Sequence, residues 1–258
     1  MKIVILAGGL GTRISEETQV RPKPMVEIGG MPILWHIMKM YSHFGYSEFV
    51  VCLGYKGEVI KEWFAQHNAN GHENKDTFDF VNKSTEEHSK PQDAWKVTLV
   101  DTGAETMTGG RLARVRKYID DERFMMTYGD GVSDVNIQKL VAHHEAHGRK
   151  ATMTTVIPEP RFGEVKIDGN DHIFAFSEKT DNKQRVNGGF FVLEPSVFEF
   201  LTEGDTTIFE KKPLERLAEE GELISYPHEG FWKPMDTLSD KHKLEVLWEG
   251  GAPWKLWN

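Results

Sequence analysis

Lys2-Ile3-Val4-Ile5-Leu6-Ala7-Gly8-Gly9-Leu10-Gly11-Thr12-Arg13 is a short apolar run that passes directly into a glycine-rich loop. Such a run, stopped by glycines, reads as a buried strand of a parallel sheet with a ligand-facing turn at its carboxyl end. A little further on, Arg21-Pro22-Lys23-Pro24-Met25 brings a lysine bracketed by two prolines. Pro22 and Pro24 fix φ on either side of Lys23 and restrict where its ammonium can point. Backbone amides of the glycines, the Thr12 hydroxyl, the Arg13 guanidinium and the Lys23 ammonium make up the donor set that grips a polyphosphate. A dinucleotide fingerprint does not fit, because Ile14 stands where the third glycine of G-x-G-x-x-G is required. A P-loop does not fit either, since no G-x-x-x-x-G-K-[ST] occurs. The three glycines alone would also suit a plain turn with solvated charges, so the weight rests on their combination with Thr12, Arg13 and Lys23.

Outward from this strand, strand-like and helix-like periodicities alternate. Residues 33–44 read as an amphipathic helix, 48–53 as a strand, 58–66 as a helix, and 95–100 and 124–128 as strands. Helices are predicted at 110–117 and 137–147 and a further strand at 151–157. This is the βαβ pattern, which predicts an α/β fold with a mostly parallel, Rossmann-like sheet flanked by helices. Ligands of such sheets sit beyond the carboxyl ends of strands, where residues 8–13 and Gly129-Asp130-Gly131 both fall. After Pro158 come short runs at 163–167, 172–177 and 189–193, which read as antiparallel additions in the C-terminal third. A helix at 212–220, a strand at 223–226 and a helix at 238–248 follow. No linker divides the chain, so a single domain over 1–258 is expected, with a polar excursion at 67–91 that serves as a surface loop, a lid or a subunit contact.

The 258 residues carry 40 acidic against 31 basic side chains, a formal charge of −9. That argues against a nucleic-acid partner, which needs a basic surface, and means that any phosphate must be held by a few placed cations or a metal. Cys52 is the one cysteine; no internal disulfide can form, it reads as a buried strand thiol, and a cytoplasmic setting is expected. No apolar run is long enough to span a membrane. His143, His144 and His147 share a helix but miss the H-E-x-x-H spacing, and are expected to face solvent. Trp248, Trp254 and Trp257 crowd the end of the 238–258 segment; rings of that size dock on this subunit or on a neighbour, and the chain is expected to form a homo-oligomer.

Two further aspartates stand out. Asp130 lies between glycines at a strand end, and Asp236 lies in Trp232-Lys233-Pro234-Met235-Asp236-Thr237. Two carboxylates together with phosphate oxygens and water satisfy Mg²⁺. Taken singly, Asp130 also suits a turn and Asp236 the cap of the helix behind it. Ser177-Glu178-Lys179-Thr180 closes a strand with an acid beside a base.

The glycine loop, Arg21 to Met25, Tyr128-Gly129-Asp130-Gly131, Glu178-Lys179, Asn187-Gly188-Gly189 and Trp232 to Thr237 occur in that order along nearly the whole chain. In this the chain resembles the sugar-1-phosphate nucleotidyltransferase family, whose members have a nucleotide-diphospho-sugar transferase, GT-A-like fold. The resemblance implies that Leu6, Ala7, Gly8 and Gly9 line the nucleotide while Gly11, Thr12 and Arg13 hold the triphosphate. It implies that Lys23 stabilises charge at the α-phosphorus and Lys179 binds the sugar phosphate, making Lys23, Arg13 and Lys179 the catalytic set. Glu178 and Gly188 would meet sugar hydroxyls, Thr102 and Gly103 with Arg111 would face base and ribose, and Asp130 and Asp236 would carry Mg²⁺. The stretch Asp101 to Leu112 is similar to that of the branch using CTP and glucose 1-phosphate. Cytosine over thymine or uracil, and glucose over another hexose, rest on resemblance alone, and a non-catalytic regulatory member of the same fold is the rival reading.

Overall fold

β1 (Ile3–Leu6) is buried on both faces, Ile3 and Ile5 against one layer of helices and Val4 and Leu6 against the other. The computed structural model describes residues 1–67, 77–81, 94–159, 163–177 and 184–257. In these the strands after β1 are β2 (Glu27–Ile28), β3 (Met31–Pro32), β4 (Glu48–Leu53), β5 (Thr77–Val81), β6 (Ala94–Asp101), β7 (Phe124–Tyr128) and β8 (Gly131–Ser133). They continue as β9 (Ala151–Val156), β10 (Glu164–Ile167), β11 (Ile173–Ser177), β12 (Val186–Leu193), β13 (Leu223–Pro227) and β14 (Trp232–Pro234). The helices are α1 (Ser15–Thr18), α2 (Ile33–His43), α3 (Gly57–His67), α4 (Thr108–Arg114), α5 (Ile137–His147), α6 (Lys212–Glu219) and α7 (Leu238–Glu249).

The main sheet has eight strands in the order β13-β9-β12-β7-β1-β4-β6-β5. β1 pairs in parallel with β4 on one side and β7 on the other, and β4 in parallel with β6. The chain therefore winds outward in one direction from β1 through β4 to β6, then crosses to β7, which makes the carboxyl ends of β1 and β7 the topological switch point. The loops that leave those ends diverge, and a crevice opens between them.

The predicted mostly parallel α/β sheet is what the chain forms, with three local differences. β12 is antiparallel as expected, but it lies between β7 and β9, inside the sheet, so the C-terminal third supplies part of the core. Among the described residues β10 and β11 pair only with each other, as a separate two-stranded unit. Within the polar stretch 67–91, β5 pairs antiparallel with β6; its Thr-Phe-Asp-Phe-Val alternation has the strand period but is hidden by polar flanks. The rest of that stretch, 68–76 and 82–91, lies outside the described residues.

Helix α2 reads as amphipathic yet is buried nearly all round from Ile33 to Tyr41. Its outer face is covered by the aromatic tail of the same chain. Trp254 is fully buried, stacked on Phe231 at 5.5 Å, and donates from Nε1 to His36 Nδ1 at 3.4 Å; Trp257 meets Trp35 edge-on at 5.7 Å. The tail thus docks on its own subunit, which removes it as a reason to expect a second one. His36 Nε2 donates to the Ile28 carbonyl at 2.8 Å, and burial lowers the ring's pKa to about 4 against the pull of its backbone carbonyl partners. His144 also departs from expectation: it is buried, between Thr152 Oγ1 at 2.8 Å and Glu194 Oε1 at 3.1 Å, because α5 packs that face on β9. Cys52 is a buried strand thiol, pushed up to about 12 by burial and therefore inert. Among the described residues no helix is long and apolar enough to cross a membrane.

The neutral state of His36 links folding to acid. Above pH ~6.5 neither the folded nor the unfolded ring is protonated; below it the unfolded chain takes up a proton that the folded chain refuses down to about pH 4. Denaturant titrations should therefore show stability falling by ~3 kcal/mol from this group between those limits. His36→Gln, which keeps a donor for Ile28, should flatten that part of the profile; an unchanged slope rejects the assignment. Trp254→Ala should lower stability by roughly 3–5 kcal/mol, the usual cost of emptying a large aromatic site. No change in the denaturation midpoint would show that the tail is not part of the core.

Candidate active site

The crevice at the switch point is a cavity of about 320 Å³. Ten of the residues singled out from the sequence border it: Leu6, Ala7, Gly8, Gly9, Gly11, Thr12, Arg13, Lys23, Arg111 and Asp130. Beside it lies a smaller cavity of about 60 Å³, bordered by Gly188 together with Asn187, Trp232 and Pro234. Tyr128 and Asp130 border both. Glu178 and Lys179 lie outside the described residues.

Lys23 begins a single 3₁₀ turn, Lys23–Met25, entered from extended Pro22 and closed by hydrogen bonds from Met25 N to Pro22 O and from Val26 N to Lys23 O. Its backbone is fixed on both sides and its side chain is buried. The ammonium meets Asp130 Oδ2 at 2.6 Å and Asp236 Oδ1 at 2.9 Å. Arg13 Nη1 reaches the other oxygen of Asp236 at 2.8 Å. Four charged groups from three distant parts of the sequence thus form one chain of ion pairs.

A short ladder explains how Asp236 arrives there. β14 pairs antiparallel with β8, Pro234 opposite Gly131, and Met235 N donates to Asp130 O at 2.8 Å. The ladder lays Asp236 alongside Asp130 across the sequence gap. The helix-cap reading of Asp236 fails, because Thr237 is the cap of α7: its hydroxyl accepts from Asp240 N, and the Asp240 carboxylate accepts in return from Thr237 N. The Asp236 carboxylate is left to the cations. Asp130 does sit in a turn between β7 and β8, and its carboxylate nevertheless points to Lys23.

Arg111 plays a different part. It is buried, and its two terminal nitrogens donate to the carbonyls of Leu53, Gly103, Gly8 and Ala104 and to the Thr102 hydroxyl, at 2.8 to 3.1 Å. The guanidinium ties the loop after β1 to the end of β4 and to residues 102–104. It fits only because two neighbours lack side chains: a Cβ on Gly8 would fall 2.1 Å from Arg111 Nη1, and one on Gly54 2.3 Å from it. Thr102 is buried and its hydroxyl donates to Leu53 O at 2.6 Å, so it and Gly103 support the cavity wall rather than appear on its surface.

The sequence reading quoted Thr106, Met107 and Thr108 within the 101–112 stretch, and Tyr128, Asn187 and Trp232 within other motifs, without giving them a role; the first three line the larger cavity and the last three the smaller one. Trp232 Nε1 donates to the Gly188 carbonyl at 2.7 Å and holds that backbone in place. The two threonines that flank Met107 at the start of α4 were the available signal for the first group.

For a divalent cation, the donor set is suitable. Two carboxylates already converge on a single positive centre through hard oxygen atoms. Among the described residues no group of three or more histidine, cysteine or acidic ligands occurs, so a metal here would need oxygens from a bound phosphate.

Comparison with known proteins agrees with this architecture. The sequence pattern described as "Nucleotidyl transferase" matches residues 2–244. The chain is 55% identical over 260 residues to glucose-1-phosphate cytidylyltransferase of Salmonella typhi, and 43% identical over 258 residues to a probable glucose-1-phosphate cytidylyltransferase of Bacillus subtilis; each alignment covers 100% of both chains. The crystal structure of HddC from Yersinia pseudotuberculosis superposes with a TM-score of 0.70 at 23% identity, covering 96% of this chain and 99% of that one, which speaks to the fold. A switch-point crevice lined by Arg13, Lys23 and Asp130, with Asp236 paired to both cations, and a family match over residues 2–244 place this chain in the nucleotidyl transferase family.

Proposed function

We propose that the protein joins CTP to α-D-glucose 1-phosphate, giving CDP-glucose and pyrophosphate. The observation that carries this is the ion-pair cluster in which Lys23, Arg13 and Asp130, all on the wall of the larger cavity, are joined by Asp236 behind them; the choice of substrates follows the full-length relatives. An oxygen of the sugar phosphate attacks the α-phosphorus of CTP as the bond from that phosphorus to the β-phosphate oxygen breaks, and pyrophosphate leaves. The attacking oxygen is already an anion near neutral pH, so no general base is needed. The obstacle is repulsion between two phosphate compounds, and catalysis consists of neutralisation and placement.

Each residue then has a defined task. Gly8, Gly9 and Gly11 offer backbone to the nucleotide, with Leu6 and Ala7 behind them, while Thr12 and Arg13 meet the triphosphate. Lys23, fixed between prolines, directs its ammonium at the charge that builds on the α-phosphoryl oxygens. Asp130 and Asp236 would hold Mg²⁺, which supplies charge neutralisation on the phosphates when bound. Arg111 with Thr102 and Gly103 shapes the side of the pocket where base and ribose lie. Gly188, next to the smaller cavity, serves the sugar, as do Glu178 and Lys179.

The reaction is assigned to the cytoplasm, where nucleoside triphosphates are available. A homo-oligomer is supported by the β10–β11 pair, which leaves Val165, Ile167, Phe174 and Phe176 exposed, the kind of apolar patch that marks a protein contact surface.

Pyrophosphate release from glucose 1-phosphate should occur with CTP in preference to UTP, dTTP or GTP; equal rates with all four would reject the base assignment, and none would reject the reaction. Lys23→Ala should lower kcat by roughly a hundredfold or more, the scale set by loss of one preorganised donor to a developing oxyanion. Wild-type turnover in that variant would remove Lys23 from the chemistry. Chelation with EDTA should abolish turnover and added Mg²⁺ restore it; turnover indifferent to EDTA would exclude the metal role of Asp130 and Asp236.

A further inference from the structure

Tyr128 borders both cavities, but its hydroxyl is committed to protein. It donates to Glu210 Oε1 at 2.6 Å and accepts from Asn187 Nδ2 at 3.2 Å. The other oxygen of Glu210 accepts from the Thr108 hydroxyl at 2.6 Å, and that hydroxyl accepts from Phe209 N at 2.9 Å. Every proton in this chain is directed toward one carboxylate. Thr108 belongs to the wall of the larger cavity and Asn187 to that of the smaller one, so Glu210 links the two walls.

The linkage is stiff at its far end. Asn187 Oδ1 accepts from Gly189 N at 2.8 Å, and the register of β12 against β9 shifts between Asn187 and Phe191, forming a bulge next to the cavity. Gly189 has φ of +83°, and a Cβ there would lie 2.8 Å from Tyr128 Cδ2, so the tyrosine ring rests against the bare glycine. Burial, followed by the charge of Glu210, pushes the Tyr128 pKa far above its ordinary value, which keeps the phenol a donor.

We propose that Glu210 is a positioning residue that fixes the triphosphate pocket relative to the sugar-phosphate pocket, through Tyr128 and Asn187 on one side and Thr108 on the other. This rests on the reaction proposed above. In-line attack requires the two substrates to be placed relative to each other to a fraction of an ångström, and small misplacement costs rate rather than binding. A carboxylate suits the task because it accepts at both ends and donates at neither. Glutamine has the same shape but turns an NH₂ toward one of the two hydroxyl donors, so one of the two links must break or reverse.

The test is steady-state turnover of E210Q, Y128F and the double variant with CTP and glucose 1-phosphate, together with calorimetric binding of each substrate alone. In E210Q, kcat should fall about tenfold or more, as expected for loss of a hydrogen bond to a charged group, while each substrate alone binds within about threefold of wild type. Y128F should show the same split, and the double variant should be no slower than E210Q. Unchanged kcat overturns the proposal. So does a fall in kcat matched by equal losses of substrate affinity and thermal midpoint, or a double variant whose losses multiply. If E210Q does not fold, Y128F breaks the same link without touching the carboxylate and is judged by the same criteria. A wild-type protein that releases no pyrophosphate overturns the reaction itself, whereas wild-type turnover with unaffected variants overturns only the positioning role.

Discussion

The ammonium of Lys23, held between the carboxylates of Asp130 and Asp236, is the contact on which the remaining architecture depends. Three charged groups brought together away from bulk water are costly unless each has its counterpart, and removal of one leaves the others exposed to that cost. The fold supplies the counterparts from three routes: a proline-bracketed turn, the turn after β7, and the strand β14 that returns to pair with β8. Arg13 completes the set from the loop after β1. The result is a near-neutral cluster of fixed charges in a protein that carries a net −9, which is how an acidic chain can present cations to phosphate.

Local features of the site were legible in the sequence because each has a local physical cause. An apolar run that stops at glycines gives β1 and its loop, and Pro-Lys-Pro gives a restrained lysine. What brings Asp236 to Asp130 is a two-strand ladder between segments far apart in the chain, and no periodicity announces such pairing. Glu210 is less visible still. It is one acid among 40, in a stretch between a 3₁₀ turn and α6, and its significance lies wholly in what its two oxygens touch.

The same division holds for the fold. The parallel strands β1, β4, β6 and β7 and the helices between them were readable, because parallel strands buried on both faces are continuous apolar runs, whereas β5 and the short β2, β3 and β8 were not. The place of β12 was not: whether a strand of that composition joins the edge or the middle of a sheet is decided by the partners on both sides, here β7 and β9. Helix α2 shows the converse, a pattern that reads as half-exposed because its outer cover comes from the opposite end of the chain.

The seat of Arg111 ties together positions that look independent. Its guanidinium occupies space that a methyl on Gly8 or on Gly54 would claim, so neither glycine can acquire a side chain while the arginine remains. If the arginine were lost, Gly8 would be released from that constraint while a Cβ on Gly54 would still fall 2.6 Å from the Gly8 carbonyl oxygen, and the carbonyls of Leu53, Gly8, Gly103 and Ala104 would need another donor. Residues 8 and 111 should therefore drift or persist as a pair across descendants of this sequence, with Gly54 held bare by the Gly8 backbone in either case.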